Sequence, residues 1–131
     1  MDIRQSMVAV VLLLQVFPLK VFAHGEDKPG PNGGSIRMPG GFHTELVQVN
    51  SQEFRVYLLD INWQNPTVQN SSIDATVMFK SLEVNATCKS DGNYFTCELP
   101  KGQSLVGAKV IALKPMRKNV PGGIASYKLP L

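Results

Sequence analysis

The chain is poor in the residues that most often carry chemistry. Its 131 residues include two histidines and two cysteines, and no G-x-S-x-G, Walker-type glycine loop or H-E-x-x-H motif. Acid–base and triad catalysis therefore lack their usual components, and an enzyme is not expected. Carboxylates do not make up the deficit, because nothing in the spacing of Glu45, Glu53, Asp60 and Asp74 picks out a catalytic pair. Charge of one sign is scarce as well. Thirteen Lys and Arg against ten Asp and Glu leave a net charge of +3 spread along the chain, with no basic stripe to meet nucleic acid. The length bounds the chain to one domain.

The apolar content, 44% overall, is uneven. Arg4 precedes an apolar run from Met7 to Phe17 broken only by Gln15, and Val21-Phe22-Ala23 then supplies a small-residue cleavage site before His24. This is the layout of a secretory signal peptide over residues 1–23. The run falls short of the roughly 20 apolar residues a membrane-spanning helix needs. The expectation is cleavage after Ala23 and a periplasmic or secreted domain with no stable membrane insertion.

Both cysteines lie in the exported part, where an oxidising compartment favours a disulfide. In Cys88-Lys-Ser-Asp-Gly-Asn-Tyr-Phe-Thr-Cys97, a two-residue turn at Gly92-Asn93 pairs Asp91 with Tyr94, Ser90 with Phe95, Lys89 with Thr96 and Cys88 with Cys97. Glycine at the first turn position suits a type II′ hairpin. Counted out from the turn, the cysteines occupy a non-hydrogen-bonded site with Cα atoms about 4.5 Å apart, within disulfide range. Leu82, Val84 and Ala86 share a face with Cys88, as Phe95 and Leu99 do with Cys97, so the bridge is expected to face the core.

The rest reads as strands. Residues 24–41 are rich in Pro and Gly and form a flexible arm, with one short extended piece at Ser35 to Met38. Phe42 to Val49 and Glu53 to Asp60 make a hairpin about Asn50-Ser51-Gln52. Ile73 to Lys80 alternates apolar and polar residues, the pattern of a half-buried strand. After the cysteine hairpin come Leu105 to Leu113 and Ile124 to Leu129. About seven strands with Pro/Gly punctuation predict an all-β domain over residues 42–131: an antiparallel immunoglobulin-like sandwich, with a small β-barrel as the alternative.

The two histidines are the candidate metal ligands. If cleavage falls after Ala23, His24 offers an α-amine and an imidazole on one residue. Two such nitrogens plus a second imidazole, which must come from His43, form a set that suits divalent copper. Glu45 lies two residues on, on the same face of its strand, as a ligand or as a partner orienting an imidazole. Met38 would add a soft donor.

His24-Gly25-Glu26, Gly30-Pro31-Asn32-Gly33-Gly34, Phe42-His43-Thr44-Glu45-Leu46 and Val56-Tyr57-Leu58-Leu59-Asp60 occur in that order. Over residues 25–60 the chain thereby resembles small bacterial periplasmic β-domains found alone or attached to the membrane fusion (periplasmic adaptor) proteins of heavy-metal efflux pumps. The resemblance implies copper, silver or related ions as cargo, an efflux adaptor as partner, and metal binding at His24 and His43. The chain departs from that pattern in having one arm histidine instead of several and in carrying the Cys88/Cys97 pair.

Two function classes follow. One is a copper carrier or efflux accessory. The other is a non-catalytic interaction module that presents a sheet edge to a partner protein, with Lys101, Lys109 and Lys128 as edge-blunting charges.

Overall fold

A computed structural model describes residues 28–131; the signal-peptide segment and His24 lie outside the described residues. Among the described residues nine strands form, in chain order β1 (Ser35–Arg37), β2 (His43–Gln48), β3 (Glu53–Leu59), β4 (Ser72–Met78), β5 (Glu83–Asp91), β6 (Tyr94–Glu98), β7 (Val110–Arg117), β8 (Val120–Pro121) and β9 (Ala125–Lys128). All pairings are antiparallel, in the order β1-β2-β3-β6-β5-β4-β7-β8, with β9 also on β7.

The strands thus make one continuous sheet, not two facing ones, and of the two architectures expected the small barrel describes it. The turning point is β5. Its first half pairs with β4, up to Ala86 opposite Ala75, and its second half, from Thr87, pairs with β6. The barrel seam lies between β1 and β9. There Arg37 Nε donates to Ser126 O at 3.0 Å and Gly123 N to Pro39 O at 2.7 Å. Two Pro-Gly-Gly segments, 39–41 and 121–123, meet at this point.

The cysteine hairpin has the expected register, with Asp91 opposite Tyr94 and Cys88 opposite Cys97, and the two cysteines are disulfide-bonded. Gly92 takes φ +65°, which a side chain would resist. Cys97, Phe95, Leu99 and Val84 enter the core as expected, but Leu82 is half exposed. It lies in the β4–β5 turn, closed by Phe79 N on Leu82 O, and not on a strand.

β7 departs from expectation at both ends. Leu105–Ala108 is a turn, with Ala108 N on Leu105 O and Gly107 at φ +82°, so the strand starts later, at Val110. It also runs through Pro115. Gly122 N donates to Pro115 O, so the proline nitrogen faces the same side, in the gap between β9 and β8, where the ladder asks for no N–H.

The interior is filled by Leu46, Phe54, Val56, Leu58, Val77, Ile111, Leu113 and Tyr127, all fully buried. Tyr127 Oη donates to Thr44 O at 2.9 Å and lies 2.6 Å from Thr44 Oγ1, tying β9 to β2 across the barrel. Burial pushes the Tyr127 phenol well above its ordinary range.

Candidate functional site

Strand β2 turns its two faces to different surroundings. Thr44 and Leu46 point into the barrel, whereas His43, Glu45 and Val47 point out of it. The outward face is nevertheless covered. Glu45 is fully buried and His43 is 4% exposed, because two loops fold over the strand and build a second small core from Ile36, Tyr57 and Leu59 with Val47, Trp63 and Tyr94.

The first cover is Gly30-Pro31-Asn32-Gly33-Gly34. Gly33 N donates to Gly30 O and Gly30 N to Gly34 O, which curls the loop so that its amides converge. Into it projects the Glu45 carboxylate. Oε2 accepts from Asn32 N at 2.9 Å and Gly34 N at 2.8 Å, and Oε1 from Asn32 Nδ2 at 2.8 Å and Asn32 N at 3.2 Å. Hydrogen bonds to an ionised acceptor are the strong kind. A Cβ on Gly30 would collide with the Glu45 carboxyl group, and one on Gly34 with Leu46 O, so the close approach requires glycine at both positions. After the loop, β1 pairs with β2 and Ile36 is fully buried. The described part of the expected flexible arm is therefore a tied-down part of the barrel wall.

The second cover is the turn after β3. Asp60 Oδ1 accepts from Asn62 N and Gln64 N, both at 2.9 Å, and Oδ2 from Asn65 Nδ2 at 2.8 Å. The amide of Gln64, then the Asn65 side chain and the Asn62 amide, hold the Asp60 carboxyl below its ordinary value, with Arg117 adding to the effect. Within this turn Trp63 takes φ +63° and Asn65 φ +54°. The left-handed region is costly for a bulky residue such as tryptophan, by about 1 kcal/mol or more. It brings the indole edge-on to the His43 ring, 5.9 Å between centroids.

His43 Nδ1 lies 3.0 Å from Asp60 O. A carbonyl only accepts, so Nδ1 carries the hydrogen and the neutral ring presents its lone pair at Nε2. Nε2 makes no hydrogen bond among the described residues. This is the arrangement in which a histidine ligates a metal, one nitrogen fixed by a carbonyl and the other free.

Of the sequence candidates, then, His43 and Glu45 share a face, and His24 lies outside the described residues. The Glu45 oxygens face the Gly30–Gly34 loop, and what orients His43 is the Asp60 carbonyl. Met38, 44% exposed, lines a groove of about 530 Å³ along the seam with Arg37, Pro39 and Ile124. Sequence reasoning missed Asp60 and Trp63. The available signal was an Asp ending a strand ahead of Asn62 and Asn65, the residues of side-chain-capped turns. Among the described residues no three His, Cys, Asp or Glu side chains group together, and no helix is long and apolar enough to cross a membrane.

No family model, curated protein or solved structure matches the chain. The disulfide fits folding outside the reducing cytoplasm.

Proposed function

We propose that this is an exported, non-catalytic metal-handling protein of the periplasm, which binds one copper ion through the amine and imidazole of His24 and the imidazole of His43 and serves as a carrier or efflux accessory. The observation that carries this reading is the His43 ring, held through Nδ1 with Nε2 left for a ligand. The Glu45 clamp supports it from the other side. It fixes the loop through Asn32 and Gly34 with Gly30 against the Glu45 carboxyl group, and Glu45 itself lies two residues from His43 on one face of β2, a spacing of about 7 Å between Cα atoms. The six residues from Gly30 back to His24 can span up to about 20 Å. His24 is thereby within reach of His43 without any movement of the barrel. Glu45 serves the site as the anchor of that segment.

Titration of the exported protein with Cu(II), followed by electron paramagnetic resonance, tests the reading. A single equivalent with nitrogen hyperfine structure is expected, lost on His43→Ala and lost when one residue is placed ahead of His24. A second reading, an interaction module, is favoured by the seam groove with its exposed Met38 and Ile124. It predicts a periplasmic partner retained by the protein after both histidines are replaced.

A further inference from the structure

We infer that Asp60 is the positioning residue of this metal site, an inference that rests on the copper reading above. Its main-chain carbonyl decides which nitrogen of His43 is presented, and its side chain holds the turn that supplies the carbonyl. Asp60 O accepts from both His43 Nδ1 at 3.0 Å and Trp63 N at 3.1 Å. One oxygen atom thus sets the tautomer of the imidazole and the place of the indole beside it. The carbonyl stays there because the carboxylate of the same residue gathers Asn62 N, Gln64 N and Asn65 Nδ2, while Asp60 N closes the turn on Gln64 O at 2.8 Å. Arg117 Nη2 ties the far end of the turn to β7 through Asn65 O at 2.7 Å.

Trp63 makes this more than an ordinary turn. A tryptophan persists at φ +63° only where its surroundings over-determine the conformation. What that conformation yields here is an aromatic wall against the one histidine of the described residues. Glu45, two residues from His43, is committed to the Gly30–Gly34 loop. Orientation of the ring therefore falls to Asp60, and loss of such an outer partner lowers metal affinity about 10–100-fold.

The test compares wild type, Asp60→Ala, and Asp60→Asn combined with Asn65→Asp, which exchanges donor and acceptor in the contact between those side chains. Two quantities are read. One is the His43 tautomer, from long-range nitrogen–proton NMR of the metal-free protein at alkaline pH. The other is Cu(II) affinity by competition with glycine. Wild type should show hydrogen on Nδ1. Asp60→Ala should mix the tautomers and weaken copper about 10–100-fold, and the paired exchange should restore both. If Asp60→Ala loses its amide dispersion, Asp60→Asn alone, which keeps an acceptor for the two backbone amides, should give an intermediate affinity. An unchanged tautomer with affinity within about twofold of wild type in the folded variants overturns the inference. Failure of wild type to take up copper, with the tautomer still following Asp60, overturns the copper reading and supports the positioning of His43.

Discussion

Gly34 N donates to Glu45 Oε2 at 2.8 Å, joining a glycine-rich loop to a fully buried carboxylate eleven residues away in sequence. The contact explains the order of the two motifs. A loop that offers converging amides needs an anion, and a carboxylate facing out of a strand and cut off from water needs donors. Each meets the other's requirement, and the pair sets where the amino-terminal segment joins the barrel beside His43.

Glu45→Ala leaves Asn32 N, Asn32 Nδ2 and Gly34 N without their acceptor. With about 1–3 kcal/mol for each buried donor left unpaired, and partial relaxation of the loop to water, a loss of about 3 kcal/mol is expected in urea unfolding. A loss below about 1 kcal/mol would mean that the clamp contributes little.

Gly34→Ala introduces a Cβ against Leu46 O, a backbone atom with no room to yield. Destabilisation of about 2 kcal/mol or more is expected. Gly41→Ala, where a Cβ meets nothing within 4 Å, should stay within about 0.5 kcal/mol of wild type. Equal effects at the two positions would contradict the packing described for the loop.

Tyr127→Phe removes the hydrogen bond to Thr44 O and leaves Thr44 Oγ1 without its partner, at a cost of about 1–2 kcal/mol in urea unfolding. Burial raises the phenol's pKa in the folded state. Its contribution to stability is therefore complete below the unfolded value of about 10 and fades as pH rises beyond it. In an ultraviolet titration one tyrosine of the folded protein should fail to ionise near pH 10, and Tyr127→Phe should abolish that resistant fraction.

Asp60 has the opposite sign. Its folded pKa is lowered, so its contribution is present above the unfolded value near 3.9 and disappears as pH falls through the lower folded one. The lone tryptophan, Trp63, reports on the turn. Its fluorescence should show no Asp60-linked change between pH 5 and 8, with the change confined below about pH 4 and absent in Asp60→Asn. An Asp60-dependent transition above pH 5 would contradict the hydrogen bonding of the turn.

The strands were legible wherever local chemistry sets them. The register of Cys88 with Cys97 follows from a Gly-Asn turn, and the buried series Ile73, Ala75, Val77 follows from alternation along β4. The sandwich expectation gave way because joining β5 to both β4 and β6 is a tertiary event that leaves no periodic mark. Pro115 hid the second half of β7, since whether a strand tolerates proline depends on which neighbour faces its nitrogen. At the site, sequence placed His43 and Glu45 correctly on one face but carried no sign that the face is covered. Burial of that face comes from residues 30–37 and 60–65, which fold over it from either side of β2. The role of Asp60 was invisible for a related reason: it acts on His43 through a main-chain carbonyl, and any residue type carries one.

The central claim is that His43, presented through Nε2, holds copper together with the terminus at His24. Native mass spectrometry of the exported protein titrated with Cu(II) tests it most directly, because one spectrum gives both the terminal residue and the number of metal ions bound. A chain beginning at His24 with one copper ion, and none in His43→Ala, is the predicted result. A chain beginning elsewhere, or a copper stoichiometry unchanged by His43→Ala, would contradict it.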